Sequence, residues 1–157
     1  MTATQSRPSS WRWNTFAVAL SGSVLLWLAL RPFSLPFDWF NRVAAYPFPL
    51  GWLGWIAPVP WLLLIRAEKM PGRRPYWSLY LAGLTFWLLA IFWIVWPYPE
   101  FTWMGWIALS AYLAIYLPAF VALSRAAIFR FAFPLWLAAP IAWTGLELAR
   151  AHLLTGF

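Results

Sequence analysis

The sequence contains no cysteine, which excludes disulfide bonds, thiolate metal sites and a cysteine nucleophile within these 157 residues. Charged residues are also scarce: they make up 10% of the chain, whereas soluble domains are about one quarter charged. Hydrophobic residues account for 64%, and they include 15 tryptophans, a residue that favours membrane interfaces. The membrane is therefore the expected surrounding of most side chains.

The net charge of +7 does not indicate a nucleic-acid partner. The basic residues lie between apolar runs, without a continuous basic face or an aromatic RNA-binding motif, so anionic lipid explains them better. The chain has one histidine, His152, and no glycine-rich phosphate loop. A lone histidine near a helix end predicts neither a metal site nor a catalytic relay, and the sequence indicates no cofactor.

Five apolar runs, each of 15 residues or more, predict an all-α fold: a polytopic helical membrane protein with about five transmembrane helices. We expect a cytoplasmic N-terminal tail over 1–13 and a transmembrane helical domain over 14–157. The spans are predicted at about 14–30, 50–65, 76–96, 102–124 and 134–155. The first could be a secretory signal, but Arg31-Pro32 follows it where a small-residue cleavage site would stand, so we expect it to be retained.

The positions of prolines and basic residues predict a kink in one span and two loops between spans. Pro58 and Pro60 predict a kink in the second span. Residues 31–49 contain four prolines and many aromatics, which predicts a loop lying in the membrane interface. Arg125 and Arg130 are expected in a loop before the fifth span.

Small residues four apart predict where helices touch. In the first span, Ala17 and Ser21 offer such a strip for helix contact. In the fourth span, Ser110, Ala114 and Pro118 form another, and we interpret it as core packing.

The distribution of basic residues predicts the orientation. With the N-terminus inside, three basic residues fall outside: Arg31, Arg42 and Arg150. The other eight fall on the cytoplasmic side: Arg7, Arg12, Arg66, Lys69, Arg73, Arg74, Arg125 and Arg130. This bias follows the rule that cytoplasmic loops are enriched in lysine and arginine.

The last span carries an acid and a base three residues apart, Glu147 and Arg150, which therefore share a helix face. A charged pair in an apolar span is costly and predicts a structural ion pair. In the alternative interpretation Arg150 snorkels to headgroups while Glu147 is protonated. Together with aromatic and apolar residues the pair forms one stripe at helical spacing: Trp136, Pro140, Trp143, Glu147, Arg150 and Leu154. His152, five residues from Glu147, falls on a different face, so no catalytic residue is predicted.

The run Ala138-Ala139-Pro140, Trp143, Glu147-Leu148-Ala149-Arg150 and Leu154-Thr155-Gly156-Phe157 resembles a segment of the bacterial apolipoprotein N-acyltransferase family, APxxW…ExxRG…LTGFPW. This chain has Ala151 where the family usually has glycine. Looser similarity runs from Tyr46 onward, and Trp93 matches a tryptophan of the family's NWVY-like segment, with Phe92 in place of asparagine.

The resemblance implies a function. The family transfers an acyl chain from phospholipid to the N-terminal amine of diacylglyceryl-cysteine in lipoproteins, using a Glu-Lys-Cys triad in a periplasmic nitrilase-like domain. This chain lacks the triad, so it is expected to be the membrane part alone, inactive by itself, with the downstream catalytic domain missing. Phospholipids and lipoproteins are the implied partners, and the bacterial inner membrane is the implied location.

The implied role is to anchor the enzyme and to help form a lateral route for lipid substrates. The structural or lipid-facing candidates are Trp93, Trp143, Glu147 and Arg150. The alternative is a small non-enzymatic multi-span membrane protein or a subunit of a membrane complex.

Overall fold

Apolar runs separated by prolines and basic segments divide the chain into helices. A computed structural model describes residues 14–30, 50–95 and 99–153, of which 85% are helical and none is in a strand. The helices are α1 (Thr15–Leu30), α2 (Leu53–Ile56), α3 (Val59–Arg66), α4 (Pro75–Ala90), α5 (Pro99–Leu113), α6 (Tyr116–Phe131) and α7 (Leu135–Leu153). Two 3-10 turns are present, at Leu50–Trp52 and Phe92–Val95.

Within the described residues these helices form five rods, which confirms the predicted all-α fold of five helices. α2 and α3 make one broken rod, and α5 and α6 make another. The rod segment Thr102–Phe131, 30 residues long, has the length and composition to cross a membrane, for which about 20 apolar residues suffice. Thr15–Leu30 and Leu53–Arg66 are apolar but shorter. The predicted N-terminal tail and the predicted interfacial loop at 31–49 lie outside the described residues.

Prolines determine where the two broken rods bend. A proline has no N–H to bond the carbonyl four residues earlier, and its ring crowds that carbonyl. The second rod breaks at Ala57 and Pro58, as the sequence predicts. The fourth breaks at Ala114, four residues before Pro118, where the Ile115 amide bonds the Tyr112 carbonyl at 3.2 Å.

The third helix ends earlier than the predicted span 76–96. α4 stops at Ala90, and a 3-10 turn follows in which the Ile94 amide bonds the Ile91 carbonyl at 3.1 Å. The segment after Ala90 is rich in β-branched and aromatic residues, which fit a helix less well. The proline at position 97 further disfavours helical geometry in the residue before it.

The fourth span continues beyond its predicted end. The expected loop containing Arg125 and Arg130 is wrong: α6 runs through both residues to Phe131. Residues 119–131 contain no glycine or proline, so nothing interrupts the hydrogen-bond ladder after Pro118. Ala132 then adopts a left-handed conformation at φ 54°, and the Phe133 amide bonds the Ala127 carbonyl at 3.1 Å.

The contact face of α1 differs from the predicted strip. Ala17 and Ser21 are exposed, whereas Ala19, Gly22 and Ser23 are buried. Trp61 of α3 determines this face, because its indole packs on Gly22 and its Nε1 donates to the Ala19 carbonyl at 3.0 Å. A Cβ on Gly22 would lie 2.6 Å from that nitrogen. Only glycine therefore permits this approach.

A second close contact joins α4 to the break between α5 and α6. A Cβ at Gly83 would lie 3.0 Å from the Ala114 carbonyl oxygen. Ser110 and Ala114 are fully buried, which confirms core packing for these two members of the predicted strip. Small residues here let two backbones approach closely, as in helix contacts within membranes.

We expect Gly22→Ala to destabilise the bundle, because the added methyl group meets both the Trp61 indole and the Ala57 carbonyl. Overpacking of this kind costs about 1–3 kcal/mol. Gly145→Ala is the matched control, since nothing lies within 4 Å of a Cβ there and alanine favours a helix. Thermal unfolding in detergent should show a lower midpoint for the first variant and an unchanged or higher one for the second. Equal midpoints would contradict the Gly22 contact.

Candidate functional site

A large apolar cavity lies between α1, the α2–α3 break, α6 and α7. Its volume is about 750 Å³, within the range of about 300–1,000 Å³ typical of small-molecule sites. The lining is apolar except for Thr144 and the indole nitrogens of its tryptophans; it comprises Leu26, Pro58, Trp61, Leu62, Phe120, Leu135, Trp136, Ala139, Pro140, Trp143 and Thr144. Trp136 is 76% exposed, so the cavity is open at this side.

A second cavity, of about 310 Å³, adjoins the first and is more polar. Leu26, Trp61 and Trp143 line both. The polar groups of the second cavity come from Ser23, Tyr116, Glu147 and Arg150. Because they share three lining residues, the two cavities lie side by side, and we call the pair the groove, with an apolar part and a polar end.

Trp143 lies where the two cavities meet. Its ring packs edge-on against Phe120 of α6, with centroids 5.2 Å apart and an interplanar angle of 87°. Edge-to-face packing is a favoured aromatic geometry. This contact fixes the indole against α6 and leaves 43% of the residue exposed.

Glu147 and Arg150 form the ion pair that the sequence predicts. The Arg150 Nη2 and Glu147 Oε2 atoms are 2.5 Å apart, and the side chains are 24% and 40% exposed, respectively. The acid precedes the base on the helix, the order that favours such pairs. The pair therefore places two opposite charges at the polar end of the groove.

The predicted stripe on α7 faces this groove. Trp136, Pro140 and Trp143 line the first cavity, and Trp143, Glu147 and Arg150 line the second. The last member of the stripe, at position 154, lies outside the described residues. Helical spacing identified this face because α7 continues without a break through Pro140.

Two tyrosines add hydroxyl groups beside the second cavity. The Tyr112 and Tyr116 hydroxyl oxygens are 2.6 Å apart, and the two rings meet edge-on. Tyr116 lines the cavity. Buried or half-buried hydroxyls need a hydrogen-bond partner, and these two satisfy each other.

The structure does not bring all four candidate residues together. Trp93 lies in the 3-10 turn after α4, is 51% exposed, and is not among the residues lining either cavity. His152 contacts the Leu148 carbonyl through Nδ1 at 2.8 Å and not Glu147. Among the described residues no group of three or more His, Cys, Asp or Glu residues could hold a metal ion.

Sequence reasoning missed Trp61, which lines both cavities and joins α3 to α1. The available signal was its place directly after Pro60 in a broken span, since irregular backbone within a membrane is tolerated where protein or a cavity surrounds it. Its partner, Gly22, could not be inferred from spacing alone.

The fold and the groove define the class as an all-α domain with a membrane-length rod, built around an apolar cavity that ends in an ion pair. Comparison of the sequence with known protein families then identifies the family. The chain belongs to the apolipoprotein N-acyltransferase N-terminal domain family, whose model matches residues 22–157.

Two relatives carry the name apolipoprotein N-acyltransferase. The protein from Rhodopirellula baltica is 39% identical over 120 residues, which cover 70% of this chain and 20% of the relative. The protein from Gloeobacter violaceus is 37% identical over 83 residues, covering 50% of this chain and 15% of the relative. The chain thus matches about one fifth of the length of these relatives or less. No solved structure matches it significantly.

We expect Glu147 and Arg150 to be energetically coupled. In a double-mutant cycle with Glu147→Gln and Arg150→Gln, the double variant should lose less stability than the two single losses together, by about 1 kcal/mol. The measurement is the free energy of unfolding in detergent. The control cycle combines Glu147→Gln with His152→Gln, because His152 contacts a backbone carbonyl and not Glu147, so its losses should add. Additive losses in the 147–150 cycle would show that the pair is not coupled.

Proposed function

We propose that this chain is the membrane part of an apolipoprotein N-acyltransferase, and that its groove forms part of the lateral route by which lipid substrates reach a separate catalytic domain. The observation that carries the proposal is the groove itself. Its apolar part has room for hydrocarbon, and its polar end presents Glu147 and Arg150. A lipid has the same division between an apolar chain and a polar headgroup.

Family membership supports acyl transfer as the reaction of the whole enzyme. The two relatives are named for acyl transfer to apolipoproteins, and this chain matches only a small part of each. A thioester route needs a thiolate, and this chain has no cysteine. The nucleophile therefore belongs to a part of the enzyme that this chain does not include.

A multi-pass arrangement in the bacterial inner membrane follows from the same proposal. Two contacts gather basic residues at one end of the bundle: Thr15, the first residue of α1, bonds the Pro71 carbonyl, and Arg125 bonds the Glu68 carbonyl. α4 leads from this end to the start of α5. By the rule for basic residues, we expect this end, with the start of α1, to face the cytoplasm.

Single cysteines test this orientation, because none is present to interfere. We expect a cysteine at Arg73 to resist an impermeant thiol reagent applied to intact spheroplasts. A cysteine at Glu100 should react, since the chain reaches the opposite end of the bundle there. Labelling after membrane disruption provides the control for both. Reaction at 73 with protection at 100 would reverse the topology.

Acyl transfer should require a separate catalytic domain. Expressed alone in cells depleted of their own enzyme, the chain should leave a test lipoprotein diacylated, as measured by mass spectrometry of its N-terminal peptide. Fusion of a family catalytic domain after Phe157 should restore the third acyl chain. The same domain with its nucleophilic cysteine changed to alanine is the matched control. A third acyl chain on the lipoprotein without any fusion would overturn the assignment, and a fusion that folds but stays inactive would favour a non-enzymatic membrane protein.

A further inference from the structure

The loop between α3 and α4, residues 67–74, is held in place by one arginine of α6. Arg125 Nη1 lies 3.0 Å from the Leu64 and Ile65 carbonyl oxygens and 2.5 Å from the Ala67 carbonyl oxygen, so its two N–H groups are shared among these three acceptors. Nη2 donates to the Glu68 carbonyl at 3.1 Å. The last carbonyls of a helix have no partner within it. Arg125 therefore completes the end of α3 and fixes the start of the loop.

Three further features fix the rest of the loop. Thr15 Oγ1 donates to the Pro71 carbonyl, which ties the loop to α1. Met70 packs against the core. Gly72 has φ 102°, a conformation that favours glycine, and it turns the chain towards α4. The backbone of this loop is thus built into the bundle at both ends and in the middle.

The exposed charged side chains of the loop and its flanks are mostly basic. Four exposed bases are present: Arg66, Lys69, Arg73 and Arg74. One acid, Glu68, accompanies them. Among the described residues the one salt bridge joins Glu147 to Arg150, so none of these four bases pairs with Glu68. We call the four bases the basic rim.

Two aromatic residues lie next to the basic rim at the start of α4. Tyr76 is 44% exposed and Trp77 is 58% exposed. Exposed tyrosine and tryptophan beside an apolar helix mark the level of the lipid headgroups. Since the loop joins two apolar rods, the aromatics place the basic rim at a membrane surface.

We propose that the basic rim is a docking surface for the headgroups of anionic phospholipids. The charge is complementary, and the backbone is already fixed by Arg125 and Thr15, so little ordering is needed on binding. Arg125 itself is engaged with carbonyls and acts as a positioning residue. This inference rests on the proposed membrane placement and is independent of acyl transfer.

Native mass spectrometry of the purified chain in neutral detergent tests the proposal. Phosphatidylglycerol and phosphatidylcholine with identical acyl chains are titrated separately, and their apparent dissociation constants are compared. We expect Arg73→Gln with Arg74→Gln to weaken phosphatidylglycerol binding about 25-fold, or about five-fold for each base. Binding of phosphatidylcholine should not change. Raised ammonium acetate should weaken phosphatidylglycerol binding to the unaltered chain, because salt screens exposed charges.

The matched control keeps the charge at the same two positions, with Arg73→Lys and Arg74→Lys. It should leave phosphatidylglycerol binding within about two-fold of the unaltered chain, because attraction to anionic lipid depends on the charge of each base. Circular dichroism confirms that both variants keep their helices.

Three outcomes would overturn the proposal. These are equal affinity for the two lipids, an equal loss in the control variant, or displacement of the lipid by a short single-stranded nucleic acid at lower concentration. The last would assign the basic rim to a nucleic acid. Failure of the fused enzyme to transfer an acyl chain would leave this result standing, so the two proposals fail separately.

Discussion

The contact between Trp61 and Gly22 is the constraint on which the rest of the bundle depends. The indole of Trp61 lies against α1 where a Cβ would collide with it, and its Nε1 donates to the Ala19 carbonyl at 3.0 Å. In hydrocarbon, helices gain little from burying apolar surface against each other, so close packing and hydrogen bonds must hold them together. This contact supplies both. It also sets one wall of the groove, because Trp61 lines both cavities.

The breaks in the rods help to explain why a groove is present. Pro58 lies at the break between α2 and α3 and lines the larger cavity, and Pro140 of α7 lines it from the other side. Bends and missing N–H groups keep neighbouring helices from packing along their full length. Within a membrane, irregular backbone is tolerated where protein or a cavity surrounds it. Pro58, at the break in the second rod, and Pro140, within the unbroken α7, therefore both line the space between the helices.

Much of the fold could be predicted, because apolar length and proline position are properties of the chain itself. The five rods, the break at Pro58 and the stripe of α7 belong to this group. The α1 face, the role of Trp61 and the role of Arg125 do not. Ala17 and Ser21 match a small-residue strip as well as Ala19 and Ser23 do, and only the position of α3 decides between them. The sequence around Arg125 suggests a loop arginine, and only the folded structure brings it to two carbonyls of α3 and two of the loop that follows. Trp93 is a candidate only because it matches a tryptophan of the family. Such a match does not say which side chains line a cavity, and Trp93 lines neither one.

The central claim is that lipid hydrocarbon occupies the groove between α3 and α7. The most direct measurement uses a phospholipid with a diazirine in its acyl chain, photolysed in bilayers that contain the chain, followed by peptide mass spectrometry. The account predicts labelling at groove residues that face away from the outer surface, above all Ala139, which is 8% exposed. Trp55 of α2, which is 88% exposed and is not among the lining residues, reports ordinary surrounding lipid. Filling the groove with Ala139→Trp should abolish labelling of the α7 wall and leave Trp55 labelled. Labelling at Trp55 alone in the unaltered chain would contradict the account.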